Sequence, residues 1–99
     1  MTRSKKLAGA AIHPGDVLAD ELTELGVTAS QLARAIDVPV NRVTQILHRR
    51  RAITADTALR LGRWFGTGPE IWFDLQTDYE LRLAEAELGK ALLAIPERA

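Results

Sequence analysis

Residues 28–51 read TASQLARAIDVPVNRVTQILHRRR, and this stretch decides the fold. Thr28 is a helix-capping residue, and Leu32, Ala33 and Ile36 recur on one helical face, which predicts a helix over residues 29–36. Asp37, Val38 and Pro39 read as a turn, because proline lacks the N–H for an interior helix bond but suits a helix start. A second helix is expected over residues 40–47, with Val43, Ile46 and Leu47 facing in. Two short helices at a tight turn, the second polar on its outer side, form the arrangement that lays a helix in the major groove of DNA.

The outward residues have the chemistry for that task. Val40, Asn41, Arg42, Thr44 and Gln45 are the expected base readers. Asn and Gln pair bidentately with the major-groove edge of adenine, Arg takes guanine or a phosphate, and the apolar surfaces of Val and Thr suit a thymine methyl. Asn41 and Gln45 are four apart, so they share one face one turn apart and can address neighbouring base pairs. Contacts to the DNA backbone are expected from Thr28 and Ser30 at the first helix start, from His48, from the run Arg49, Arg50 and Arg51, and from Thr54.

Working outward, helical signals continue in both directions. Pro14 fits a first helical position, and Asp16 places a carboxylate in the first turn. Leu18, Leu22 and Leu25 follow at helical spacing, and Gly26 is a C-cap. Beyond the Arg run, Thr54 caps a fourth helix with Ala58, Leu61, Gly62 and Phe65 on one face. Gly62 inside that helix costs about 1 kcal/mol against alanine, which the close approach of another helix would justify. Residues 66–69 (GTGP) are a second break. Pro69 and Glu70 then open a fifth helix with two apolar stripes. Trp72, Leu75, Tyr79, Leu83 and Ala86 form one, and Trp72 is expected to be buried. Leu81, Leu88 and Leu92 form the other. A second stripe is covered either by a partner or by the chain folding back after Gly89. The first alternative makes Leu75, Tyr79, Leu81 and Leu88 a dimer interface.

Composition bounds the function. The 99 residues are one domain's worth, and there is no cysteine, hence no disulfide and no thiolate site. No apolar run reaches the roughly 18 residues of a membrane span, so a cytoplasmic location is expected. The formal charge is zero, but residues 28–65 carry seven bases and two acids, while residues 66–99 carry three bases and seven acids. The local field, rather than the total, attracts phosphate, because salt screens charges beyond about 8–10 Å. His13 and His48 belong to no catalytic pattern, and there is no phosphate-cradling glycine loop and no nucleophile beside a base. An enzyme is not expected, nor is a metal or a cofactor. His13, at a helix start, reads as a cap.

Several segments together resemble one family. These are His13-Pro14-Gly15-Asp16, Leu32 to Ile36, Val38-Pro39, Arg50 to Leu61, Phe65-Gly66-Thr67 and Glu70 to Gln76. The chain resembles, over about residues 12–84, the compact bacterial antitoxins of the HigA type, whose helix-turn-helix is similar to that of phage Cro and repressor proteins. The resemblance implies an all-α fold of lambda-repressor type, five helices with the last extended. It implies an antitoxin that binds and neutralises a small basic, ribosome-dependent mRNA-cleaving toxin. As a homodimer it would also repress its own operon by binding double-stranded operator DNA. The expected organisation is a flexible tail (1–11), a helix-turn-helix core (12–66) and a C-terminal dimerisation segment (67–95). A stand-alone repressor without a toxin is the alternative. Three positions depart from the pattern. Arg49 stands where glycine is usual, so a left-handed backbone there would be strained. Ala29 replaces a glutamine that holds the DNA backbone, and Val40 replaces a polar or basic reader.

Overall fold

The chain enters its first helix at His13, whose Nδ1 accepts the Gly15 amide at 2.9 Å and so caps α1 (Pro14–Leu25). Pro14 fills the first helical position, where no N–H is needed. Gly26, at φ 69°, closes the helix in the left-handed conformation. The computed structural model describes residues 11–98, and every regular element among them is helical. After α1 come α2 (Ala29–Ala35), α3 (Val40–Leu47), α4 (Ala55–Phe65), α5 (Glu70–Leu88) and α6 (Lys90–Leu93). The five expected helices are thus followed by a sixth of one turn, begun after Gly89. The expected tail lies outside the described residues apart from Ala11.

One core joins the first five helices. Leu18 and Leu22 of α1 meet Leu32 and Ala33 of α2, Val43 and Ile46 of α3, Ala58 and Leu61 of α4, and Trp72 of α5. Ile36 and Ile53, in the links, complete it. Each such leucine or isoleucine contributes roughly 1.5–3 kcal/mol by leaving water. Trp72 is 3% exposed, with its ring centroid 5.1 Å from that of Phe65.

Two glycines set how closely the elements approach. A Cβ on Gly15 would collide with the Ile46 carbonyl, so α1 rests directly on the backbone of α3. A Cβ on Gly62 would collide with the Gly68–Pro69 backbone. The close neighbour of Gly62 is therefore the turn into α5 rather than another helix. The Gly62 carbonyl also accepts the Thr67 and Gly68 amides at 3.1 and 3.2 Å.

The fifth helix outruns its support. Trp72 and Gln76 are buried, while Leu75 and Tyr79 are half-buried. Leu83 and Ala86, expected on the same inward stripe, are exposed. They stay exposed because α5 packs on α1 and α4 only along its first half. Nor does the chain fold back far enough to cover the other stripe. Leu81, Leu88 and Leu92 all stay exposed despite α6. Among the described residues no helix is long and apolar enough to cross a membrane.

Candidate nucleic-acid interface

The proposed reading helix is held from beneath and open above. Pro39, with its extended backbone, stops α2 from continuing and starts α3, and the Pro39 carbonyl accepts the Arg42 amide at 3.0 Å. Val43 and Ile46 are each 1% exposed, and Leu47 packs partly against the core. On the opposite side Val40 and Asn41 are exposed and Thr44 and Gln45 are half-buried. The helix thus presents Asn41 and Gln45 on its outer side. The Thr44 hydroxyl donates to the Asn41 carbonyl at 3.3 Å.

Arg42 is not the free cation that the helix alone suggests. Its Nη1 lies 3.3 Å from Asp56 Oδ1 on α4. The same carboxylate accepts Arg60 Nε at 2.6 Å. Arg60 Nη1 in turn donates to the Ile36 and Asp37 carbonyls at 2.9 and 3.1 Å. Arg60 thereby satisfies the open end of α2 and holds the turn, where Asp37 sits at φ 60°. The Arg60 hydrogen bond, reinforced by the charges of Arg60 and Arg42, keeps the Asp56 carboxyl below its ordinary pKa against partial desolvation. Sequence reading missed this brace, although Asp56 and Arg60 are four apart on a helix, the spacing of an ion pair.

The surrounding residues fall into two groups. Thr28 and Thr54 are both N-caps, their hydroxyls accepting the amides of Gln31 and Thr57. Gln31 Oε1 returns a bond from the Thr28 amide at 2.9 Å, completing a capping box. These side chains order the helix starts, and the other first-turn amides have no carbonyl partner within their own helix. Ser30, His48, Arg50 and Arg51 are exposed. A cleft of about 240 Å³ between α3 and α4 is lined by Arg42, Arg51, Thr54 and Asp56. Arg49 adopts φ 63°, the left-handed conformation in which a side chain is strained. Its Nε pairs with Asp16 Oδ1 at 2.9 Å, tying the loop to α1.

Two polar residues outside the expected set support this frame. The Gln76 side chain accepts the buried Ile53 amide at 2.8 Å and donates to Glu80 at 2.7 Å, fixing the link into α4. A glutamine one turn after Trp72, on a buried stripe, was the available signal. His13 stacks edge-on against Tyr79 of α5, centroids 4.8 Å apart. Burial pushes the His13 imidazole below its ordinary pKa; Asp16 opposes that shift and Arg49 adds to it. Nδ1 accepts a bond, so protonation there breaks the cap. The lowered folded value means that the unfolded chain binds the proton first. The His13 contribution is therefore complete above about pH 6.5 and lost as pH falls from there through the folded value. Thermal melts between pH 7.5 and 5 are expected to show this loss for the wild type, and a flatter profile for His13→Asn over the same range.

Leu75 and Tyr79, expected at a dimer interface, are engaged inside the chain, one against the core and the other against His13. Leu81 and Leu88 are exposed.

A buried two-helix frame with a polar outer helix and a basic loop defines a helix-turn-helix protein of the DNA-binding class. The comparisons narrow the class. A HigA-family addiction-module antidote protein from Coxiella burnetii is 47% identical, superposes with a TM-score of 0.85, and the match covers 90% of this chain and 98% of that one. The Pseudomonas aeruginosa antitoxin HigA, solved with the higBA promoter, is 41% identical with a TM-score of 0.84, covering 90% and 99%. Virulence-associated protein I of Dichelobacter nodosus is 44% identical over 87 residues, 87% of this chain and 81% of that protein. No protein-family profile matches. The chain belongs to the HigA family of helix-turn-helix antitoxins, which are regulators rather than enzymes.

Proposed function

We propose that this chain is the antitoxin of a toxin–antitoxin pair and that it represses its own operon as a dimer, with α3 of each copy in successive major grooves. The observation that carries this reading is the outward placement of Asn41 and Gln45 on a helix whose other side is locked by Val43 and Ile46. The promoter-bound structure of the Pseudomonas relative supports it. Val40, Asn41, Thr44 and Gln45 read bases. Arg42, braced by Asp56, stands at the margin between bases and backbone. Arg50, Arg51, Ser30, His48 and the starts of α2 and α4 at Thr28 and Thr54 hold phosphates, and Arg49 shapes the loop between them.

The second activity is neutralisation of a small basic toxin that cleaves mRNA. The acidic ends of the chain supply charge of the opposite sign, four acids before residue 28 and seven after residue 65. Expressing the neighbouring small reading frame with and without this chain tests the reading. Growth arrest relieved by this chain supports an antitoxin, whereas no toxicity, or toxicity unchanged by this chain, leaves a repressor alone.

DNA binding is tested on the sequence upstream of the chain's own gene. Asn41→Ala or Gln45→Ala is expected to cost about 1–3 kcal/mol and to relax preference at one base position. Arg50→Ala or Arg51→Ala is expected to weaken all sequences alike and flatten the salt dependence by about one unit of slope. Uniform weakening from the Gln45 change would place that side chain on phosphate instead.

A further inference from the structure

Residues 28–65 carry seven bases and only two acids, Asp37 and Asp56. Asp37 lies in the turn between α2 and α3. Asp56 stands among the groups assigned to phosphate. It occupies the first turn of α4, after the Thr54 cap, and lines the α3–α4 cleft with Arg42, Arg51 and Thr54. A carboxylate in a first helical turn takes the electrostatic place that a bound anion would use. Within α4 it is already matched by Arg60, whose Nε lies 2.6 Å from Oδ1 and 3.4 Å from Oδ2. Yet it also reaches across to the reading helix, where Arg42 Nη1 is 3.3 Å from Oδ1. Arg42 is accordingly half-buried, whereas Arg50 and Arg51 are exposed.

We propose that Asp56 is a positioning residue that sets sequence specificity: it holds Arg42 against α4 and keeps a negative charge at the α4 start, so that DNA of any sequence is denied phosphate contacts there and binding depends on the bases met by α3. The inference rests on the reading helix put forward above. On an unrelated duplex α3 finds no matching bases, and affinity comes from cations that reach phosphates. A tethered Arg42 beside a carboxylate weakens that binding. On the operator the guanidinium arrives already oriented, so less side-chain freedom is lost than by a free arginine. Asp56 thus penalises wrong sequences more than the right one, which is discrimination by repulsion as well as attraction. An exposed ion pair is weak, so the effect is several-fold rather than many orders of magnitude.

Titration of the full chain with two duplexes of equal length, the sequence upstream of its gene and a scrambled version, over a range of salt concentrations tests the role. Asp56→Asn keeps the side chain's shape and an oxygen acceptor for Arg60. It is expected to bind the scrambled duplex about three- to tenfold more tightly and to steepen the salt dependence by about one unit of slope. Affinity for the upstream duplex is expected to change less, so the preference between the two falls. Asp56→Ser, a second variant suited to a first helical turn, is expected to do the same. A merely structural role predicts weaker binding to both duplexes. Adding Arg42→Gln to Asp56→Asn is expected to bring the slope and the scrambled-duplex affinity back toward wild type, the coupling that a double-mutant cycle reads. Scrambled-duplex affinity unchanged or weaker in both Asp56 variants, or a gain that survives Arg42→Gln in full, would overturn this role while leaving the reading helix. A wild type that binds both duplexes equally would overturn the role and the reading helix together.

Discussion

Replacing Trp72 by alanine is expected to cost about 3–5 kcal/mol, the usual range for a buried tryptophan. A domain of this size has only about 5–15 kcal/mol in total, so the variant approaches unfolding at growth temperature. Trp72 is 3% exposed, packs against Phe65 and is the residue by which α5 enters the shared core. Its loss would free the start of α5, and with it the Gln76 side chain that holds the Ile53 amide. Urea denaturation followed by circular dichroism checks the value. A loss under 1 kcal/mol would mean that the first half of α5 is not part of the cooperative unit. Trp72→Phe, which keeps an aromatic ring against Phe65, is expected to fall between the wild type and alanine.

Gly15→Ala is expected to destabilise by about 3 kcal/mol, the upper end for inserting a methyl where there is no room. Intrinsic helix preference predicts the opposite sign, since alanine in a helix is favoured over glycine by about 1 kcal/mol. Packing wins because the added Cβ would meet the backbone carbonyl of Ile46, which has no rotamer by which to move aside. Relief requires α1 to separate from α3. The same variant is therefore expected to lose operator affinity, although Gly15 is buried and on another helix. A stability at or above wild type would show that α1 and α3 adjust freely, and that the reading helix is less firmly seated than its burial implies.

What was legible in the sequence was the chemistry of short range. The bounds of α3 follow from Pro39 and from the spacing of Val43 and Ile46, and the structure has them at Val40–Leu47. His13, Thr28 and Thr54 all cap the helices they were expected to cap, because a cap needs only its own next few residues. The left-handed backbone of Arg49 was legible as a departure from glycine. What required the fold was whatever depends on distant neighbours. Arg42 looked free until Asp56, fourteen residues on, was placed beside it. Gln76 serves an amide twenty-three residues away. Gly15 has no local reason to be glycine, its constraint being a carbonyl on α3. The stripe on α5 was read to Ala86 because periodicity reports which residues share a face, and not where the supporting surface ends.

The most direct measurement is selection of binding sites from randomised duplex DNA by the wild-type chain and by Asn41→Ala/Gln45→Ala, with both shown to be folded. The wild type is expected to enrich a palindrome whose half-sites lie one helical turn apart, about 10 base pairs between centres. The double variant is expected to keep its salt-sensitive affinity for any duplex while losing that palindrome. Enrichment of the same sequence by both proteins would contradict the account, because specificity would then reside somewhere other than the outer side of α3.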